Sequence, residues 1–219
     1  LDSAVYTVYF DPADQPDVYS PSEWINHTRK VFFSDSYHYG ISMSNDGISV
    51  TDFNGTITQW TDHRFQYLAG IDLNLDATLD LLALEENGTL YAFNSNLNLM
   101  PGFPLEVKLK TPVLARDLMG DHHPEIVGRA AVSNSILVFD HQGNIIYRIA
   151  SSHNDQLIAV SKLQGQNAVL TRSAIYTFGA AIDTKGNEWS FEHGNWDRSR
   201  TVSLDYTGNF TNDTILHRA

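Results

Sequence analysis

The chain has 219 residues, of which 42% are hydrophobic and 18% are charged, a balance that argues against disorder and suffices for one sizeable core. Its formal net charge of −12, with only 14 Lys and Arg residues, argues against nucleic acid or an anionic membrane as the main partner, because phosphate binding requires basic patches. The sequence has no cysteine, which excludes disulfides and thiolate sites, and it lacks the apolar run of about 18 residues that a transmembrane helix needs.

Short runs of β-branched and aromatic residues alternate with polar turns along the chain, and no convincing helix is predicted. Strands are expected at 5–10, 48–51, 89–93 and 136–139, each followed by a turn that begins with Asp or Asn. The turns begin at Asp11, Asp52, Asn94, Asp140 and Asp183, in steps of 41, 42, 46 and 43 residues. A side-chain oxygen at the first turn position accepts hydrogen bonds from the following backbone, which favours a tight turn. The pattern predicts an all-β fold.

A second set of positions repeats every 44 or 45 residues. Its members are Asp72, Asp117, Ser161 and Asp205. Strand-like runs precede them at 68–71, 113–116, 157–160 and 201–204, and the residue two positions before each is small. A period near 45 with several short strands in each unit indicates a β-propeller blade, and the small residues suit an innermost strand close to the central axis.

The repeat predicts a single β-propeller domain over residues 1–219, with five four-stranded blades. The blades are expected at about 25–65, 66–110, 111–155, 156–198, and 199–219 together with 1–24. The last blade would be closed by strands from both ends of the chain, which pairs the sheet edges that are otherwise exposed. The alternative is a segment of a propeller with six to eight blades.

One loop of the second blade has the composition of a calcium site. Its alternate positions carry oxygen-bearing side chains: Asp72, Asn74, Asp76, Thr78 and Asp80. Calcium prefers six to eight oxygen ligands on a flexible loop, and Thr78 can also supply its backbone carbonyl. The alternative is a turn rich in Asp and Asn that binds no metal.

This loop resembles the calcium loop of FG-GAP/VCBS-type β-propeller repeats, which are related to those of the integrin α-chain head. The resemblance covers residues 66–219 and is clearest from 66 to 149. It implies that the loop joins the first and second strands of a blade and that calcium is the cofactor. One departure is Ala77, where the family usually has Gly, because a positive φ there is unfavourable for Ala.

The other copies of the loop have fewer candidate ligands. The copy from Asp117 to Glu125 has Met119 at its third position, which favours a plain turn, and Ser161–Val169 is expected to be structural. The last copy keeps oxygen-bearing side chains and is a weaker second metal site, formed by Asp205, Thr207, Asn209 and Asp213. None of the nine His residues has convincing zinc spacing.

The predicted function is that of a non-catalytic binding or scaffold module, stabilised by calcium, which recognises a protein or glycan through loops on one face. Trp24 and Trp196 lie in loop-like segments and are candidate ligand anchors, whereas Trp60, Tyr147 and Trp189 share a strand position that favours outer-blade packing. Few Lys and many Asn, Asp, Ser and Thr residues favour an extracellular, cell-surface or periplasmic location, alone or within a larger surface or secretion assembly.

An enzyme is the alternative, as a propeller-type glycoside hydrolase or polysaccharide lyase. Such chemistry needs two carboxylates that converge across a pocket. The predicted innermost strands carry no acid ahead of their repeat positions, and no nucleophile, phosphate-loop or dinucleotide motif is present, so no catalytic residue is predicted.

Overall fold

A computed structural model describes residues 28–34, 39–44, 47–51, 57–152 and 155–180, together with Glu188. These residues form fourteen β strands in four sheets, and every pairing within them is antiparallel. Each sheet is built from strands that follow one another along the chain. The predicted all-β class is therefore confirmed.

The first sheet contains β1 (Thr28–Ser34), β2 (Tyr39–Ser44), β3 (Gly47–Thr51) and β4 (Ile57–Thr61). The second contains β5 (Phe65–Ile71), β6 (Asp80–Glu85) and β7 (Leu90–Phe93), and an isolated bridge joins Phe93 to Leu99. The third contains β8 (Leu109–Arg116), β9 (Glu125–Ala130), β10 (Ser135–Phe139) and β11 (Ile145–Ala150). The fourth contains β12 (Leu157–Leu163), β13 (Gln166–Thr171) and β14 (Ile175–Ala180).

Burial differs between the middle of the second sheet and the last strand of the third. The five residues Asp80 to Leu84 of β6 are all buried, so both faces of this strand are covered. In β11, by contrast, only Ile149 is even half-buried. The first strands β5 and β8 contact each other, and β8 also contacts β12. The second, third and fourth sheets therefore pack along their first strands, and β11, the last strand of the third sheet, lies toward solvent.

Aromatic side chains connect the first sheet to the second. The ring of Trp60 on β4 lies 4.7 Å from that of Phe93 on β7, and Phe93 stacks on Tyr91 at 5.8 Å. Trp60 is partly buried against the core, as the prediction of an outer-strand packing residue requires. Tyr147 on β11 is 48% exposed and meets Phe178 edge-on at 5.7 Å, and Trp189 lies outside the described residues.

Two of the predicted Asp or Asn turns lie within the described part of the chain. The Asn94 side chain accepts hydrogen bonds from the backbone N–H groups of Asn96 and Asn98, and Asp140 accepts those of Gln142 and Asn144. Both turns therefore form through the predicted side-chain contact. The strands expected to close the ring, in residues 1–24 and 199–219, lie outside the described residues, so ring closure stays a prediction.

No helix among the described residues is long and apolar enough to cross a membrane.

Candidate metal centre

The loop from Asp72 to Asp80 connects β5 to β6, the first two strands of the second sheet. Asp72 directly follows β5, Asp80 is the first residue of β6, and both side chains are completely buried. Leu73 and Leu79, next to them inside the loop, are also buried in the core. The two ends of the loop are therefore anchored, and its centre extends into solvent.

Hydrogen bonds from backbone to side chains set the shape of the loop. The Asp72 carboxylate accepts the N–H of Asp76 at 3.1 Å and that of Ala77 at 2.9 Å. Asp80 Oδ2 accepts the N–H of Leu73 at 2.9 Å, which ties the end of the loop to its beginning. Residues at the first and ninth positions thus organise the whole segment.

The remaining predicted ligands contact one another at the exposed end of the loop. Asp76 Oδ1 accepts the N–H of Thr78 at 2.8 Å, and Asn74 Nδ2 donates to Asp76 Oδ2 at 3.0 Å. Although partial burial acts in the opposite direction, these hydrogen bonds lower the pKa of Asp76 below its ordinary value. Asp76 is therefore maintained as a carboxylate at neutral pH.

Two residues of the loop have a left-handed backbone. Leu75 has a φ of 61° and Ala77 a φ of 67°. A side chain with a Cβ atom is strained in this region by about 1 kcal/mol or more, and glycine is not. Ala77 thus has a backbone conformation that favours glycine, at the position where the FG-GAP/VCBS-type repeats that this loop resembles usually have glycine.

Asp80 provides the test of whether the loop fits a cation. Its Oδ1 atom is buried and has no hydrogen-bond partner. Burial, together with the nearby charges of Asp72 and Asp76, raises the pKa of Asp80 to about 7, although hydrogen bonds from Leu73 and Asn74 oppose the shift. A buried oxygen without a partner is costly for the folded chain, and a bound cation would satisfy it. The residues therefore fit calcium at this position.

The carboxylates do not surround one common point in this structure. Among the described residues, no three His, Cys, Asp or Glu side chains are gathered in the arrangement of a metal site. The loop carboxylates instead accept backbone N–H groups, as described above. Calcium coordination would therefore require the side chains of the loop to rearrange.

The loop from Asp117 to Glu125, between β8 and β9, has the same architecture. Asp117 accepts the N–H groups of Gly120 and His122 at 2.5 and 2.7 Å. Glu125 Oε2 accepts that of Leu118 at 2.6 Å. Gly120 and His122 have positive φ values of 80° and 77°, at the fourth and sixth positions, as Leu75 and Ala77 do in the first loop. The sequence of this copy predicts only a plain turn, because Met119 stands at the third position, where the first loop has Asn74.

The third copy is a tight hairpin without buried acids. Ser161 pairs with Ala168 inside the sheet, and the chain reverses at Gln164 and Gly165. Both turn residues have positive φ values, 50° and 80°, which is the pattern of the two-residue hairpin turn that matches strand twist. This segment is structural, as predicted.

The other predicted site residues lie outside the described part of the chain. They are Asp205, Thr207, Asn209 and Asp213 of the weaker metal site, and the candidate anchors Trp24 and Trp196.

Sequence reasoning missed a polar network between the third and fourth sheets. The buried Arg116 donates from Nε to Asn167 Oδ1 at 3.2 Å, and Asn167 Nδ2 donates to the Leu118 carbonyl at 3.1 Å. The Arg116 guanidinium also forms an ion pair with Glu188. The sequence contains one signal of this network. Arg116 stands at the end of a predicted innermost strand, and a buried Arg requires partners.

Comparisons with known proteins give no family assignment. No sequence model of a protein family matches the chain, and no curated protein matches it. Among solved structures it is similar to the computationally designed Ika4 protein, with 14% identity, a TM-score of 0.47, and coverage of 72% of this chain and 95% of that one.

Two further similarities cover about half of the other chain. BBS1N in complex with ARL6DN has 13% identity and a TM-score of 0.45, over 70% of this chain and 51% of that one. A protein of unknown function from Bacteroides caccae has 9% identity and a TM-score of 0.37, over 64% and 51%.

Proposed function

We propose that the chain is a β-propeller of five four-stranded blades, one of them closed by strands from both chain ends, of the FG-GAP/VCBS type. Four consecutive antiparallel sheets support this proposal, because β5, β8 and β12, the first strands of three of them, contact each other in chain order. Propeller blades surround an axis in this way, with their first strands innermost. The 44–45 residue step between Asp72, Asp117 and Ser161 gives independent support.

Calcium binding by the Asp72–Asp80 loop is the function that the geometry favours. The observation that carries it is the buried Oδ1 atom of Asp80, which has no hydrogen-bond partner and lies in a loop that also buries the Asp72 carboxylate. Asp72, Asn74, Asp76, Thr78 and Asp80 would hold the ion, whose positive charge would stabilise the clustered carboxylates. Calcium would thereby make the β5–β6 hairpin rigid rather than take part in a reaction.

The role that follows is that of a non-catalytic, exported or cell-surface module that binds a protein or glycan through loops. Propellers present the connections between strands on two faces of the ring, and binding residues are commonly found on such loops. A calcium ion that fixes one of these connections lowers the conformational cost of binding a ligand there. Fold by itself does not assign a function, so a ligand must be identified by experiment.

The first experiment measures thermal unfolding in EDTA and in millimolar calcium, for the native chain and for Asp76→Ala. Calcium is expected to raise the Tm of the native chain and to leave that of the variant nearly unchanged. The matched control is Asp62→Asn, which removes an exposed carboxylate outside the loop and should respond as the native chain does. An equal Tm with and without calcium would refute the metal proposal.

The second experiment tests the absence of catalysis. The chain is incubated with arrays of glycans and polysaccharides, and both retention and product release are measured. Retention of a glycan without turnover is expected if the ligand is a carbohydrate, and protein pull-down tests the other class. Hydrolysis or elimination of any polysaccharide would show instead that the chain is a carbohydrate-active enzyme.

A further inference from the structure

A cleft of about 490 Å³ lies beside the third sheet, between the Asp117–Glu125 loop and the turn that begins at Asp140. Its size is within the range of sites that bind small ligands or single side chains. The first residues of β11 form its remaining wall. The cleft is separate from the Asp72–Asp80 loop, which contributes no residue to it.

Three of the lining residues are acidic. They are Asp121, which is exposed, Glu125, which is 3% exposed, and Asp140. The Asp140 carboxylate already accepts three hydrogen bonds within its own turn. Asp121 and Glu125 are therefore the carboxylates available to a ligand.

Glu125 has one oxygen free for such a ligand. Glu125 lines the cleft, and its Oε2 atom accepts the N–H groups of Leu118 and Met119, whereas Oε1 makes no hydrogen bond with the described residues. Burial, together with the charges of Asp121 and Asp117, raises the pKa of Glu125 to about 7 against the effect of those two backbone hydrogen bonds. A buried carboxylate of this kind is stabilised by a cation that approaches its free oxygen.

Three other lining residues have largely apolar side chains. They are Met119, Ile146, which is 39% exposed, and Tyr147, which is 48% exposed. Calcium is coordinated by oxygen ligands alone, and Met119 occupies the third loop position, where Asn74 supplies an oxygen in the first loop. A cation carried on an apolar stem suits both kinds of lining residue, because the charge can meet the carboxylates and the stem can meet the apolar side chains.

Charge balance also favours a cation. No Lys or Arg is among the residues that line the cleft, and His141 is the one basic side chain there. The His141 ring is engaged with that of His123, with the ring centroids 4.1 Å apart and the planes tilted by 18°. The carboxylates of Asp121 and Glu125 are therefore without a permanent cationic partner inside the cleft.

We propose that this cleft binds a lysine side chain of a partner protein, with the ammonium group between Asp121 and Glu125 and the alkyl stem against Met119, Ile146 and Tyr147. The inference rests on the proposed role as a binding module, because it specifies the partner as a protein segment that presents a basic side chain. It does not depend on the calcium loop.

The probe is Nα-acetyl-lysine methylamide, titrated into the full chain and followed by ¹H–¹⁵N NMR. For a ligand of this size a Kd of about 1 mM is expected, with shifts confined to the amides of Met119, Glu125, Ile146 and Tyr147. The norleucine analogue has the same stem without the ammonium group and should not bind. Calcium chloride alone should not reproduce the shifts at these four amides.

Two variants test the carboxylates separately. Glu125→Gln should weaken binding of the lysine probe by about tenfold, because it removes the charge that accepts the ammonium hydrogen bond. Asp121→Asn, at an exposed position, should weaken it by about two- to threefold. The matched control is Glu106→Gln, which makes the same chemical change at an exposed site outside the cleft and should bind the probe as the native chain does.

Three results would overturn the proposal: equal binding of the norleucine analogue, the same shifts with calcium alone, or no shift with the lysine probe up to about 20 mM, well above the expected Kd. Loss of the probe's shifts in Glu106→Gln would also overturn the proposal, since this result would indicate that the probe is attracted by the net charge of the chain and not by the cleft. The calcium response of the native chain is recorded in the same samples. A chain that responds to calcium but not to lysine refutes only the cleft, and the converse refutes only the metal proposal.

Discussion

Asp80→Asn should have opposite effects on stability with and without calcium. The side chain is completely buried, its Oδ1 atom has no partner, and its pKa is raised to about 7 from an ordinary value of 3.8. A folded-state pKa above the unfolded value means that the group supports folding at acid pH. This support is lost as the pH rises through 7, when the folded chain must bury a charge.

The magnitude follows from the shift. About three pKa units at 1.36 kcal/mol each give about 4 kcal/mol of lost stability at pH 8, and about 2 kcal/mol if the shift is half as large. Asparagine removes this charge but buries an amide donor that lacks a partner, at a cost of about 1 kcal/mol. In EDTA at pH 8 the variant should therefore be more stable by about 1 to 3 kcal/mol, or roughly 3 to 10 °C in Tm.

Calcium should reverse this order. An ion at about one hundred times its Kd stabilises the native chain by about 2.7 kcal/mol, whereas the variant loses a charged ligand and should gain little. The assay is thermal and urea unfolding at pH 8, in EDTA and in calcium, with Asp62→Asn as the control that should differ from the native chain by less than about 0.5 kcal/mol in either condition. A variant that is less stable in EDTA and keeps the full calcium gain would refute the argument.

Three further changes test other parts of the structure. Ala77→Gly should raise the free energy of unfolding by about 0.5 to 1 kcal/mol in urea titrations, because the φ of 67° at this position suits glycine. The control Ala83→Gly, in the buried strand β6, should lower the free energy of unfolding. A lower free energy of unfolding for Ala77→Gly would contradict the left-handed geometry. Asn167→Ala should cost about 1 to 3 kcal/mol by the same measurement, since it removes the acceptor of the buried Arg116 Nε–H group and the donor to the Leu118 carbonyl. An unchanged stability would show that the network contributes nothing. In EDTA, stability should decrease as the pH rises from about 4.5 to 8, because the pKa of Glu125 is raised from 4.5 to about 7. Glu125→Gln should make this decrease smaller, and a variant with the same pH profile as the native chain would count against the raised pKa.

Strand positions were predictable because they depend on local pattern. The runs 48–51, 113–116, 136–139 and 157–160 lie within β3, β8, β10 and β12. Their full lengths were not predictable, since β8 already begins at Leu109 and includes the exposed residues Lys110 and Thr111. Polar residues at the start of a strand give no hydrophobic signal, and the start of β8 is identified only by the pairing of Leu109 and Lys110 with β9.

The candidate site shows the same division. Oxygen-bearing residues at alternate positions from Asp72 to Asp80 were evident from their spacing. That Asp117–Glu125 folds in the same way was not evident, because the equivalence lies in backbone hydrogen bonds and in positive φ values at the fourth and sixth positions. Glutamate can replace aspartate at the ninth position, since its longer side chain still reaches the Leu118 amide.

The sequence by itself determined the all-β class, the Asp and Asn turns and the position of the acidic loop, because each depends on residues only a few positions apart. The tertiary structure decided which of these residues are buried. It placed Asp80 and Glu125 inside the protein, with raised pKa values, and it joined Arg116 to Asn167 across 51 residues. Such contacts depend on how one sheet packs against the next, and a local pattern contains no information about that packing.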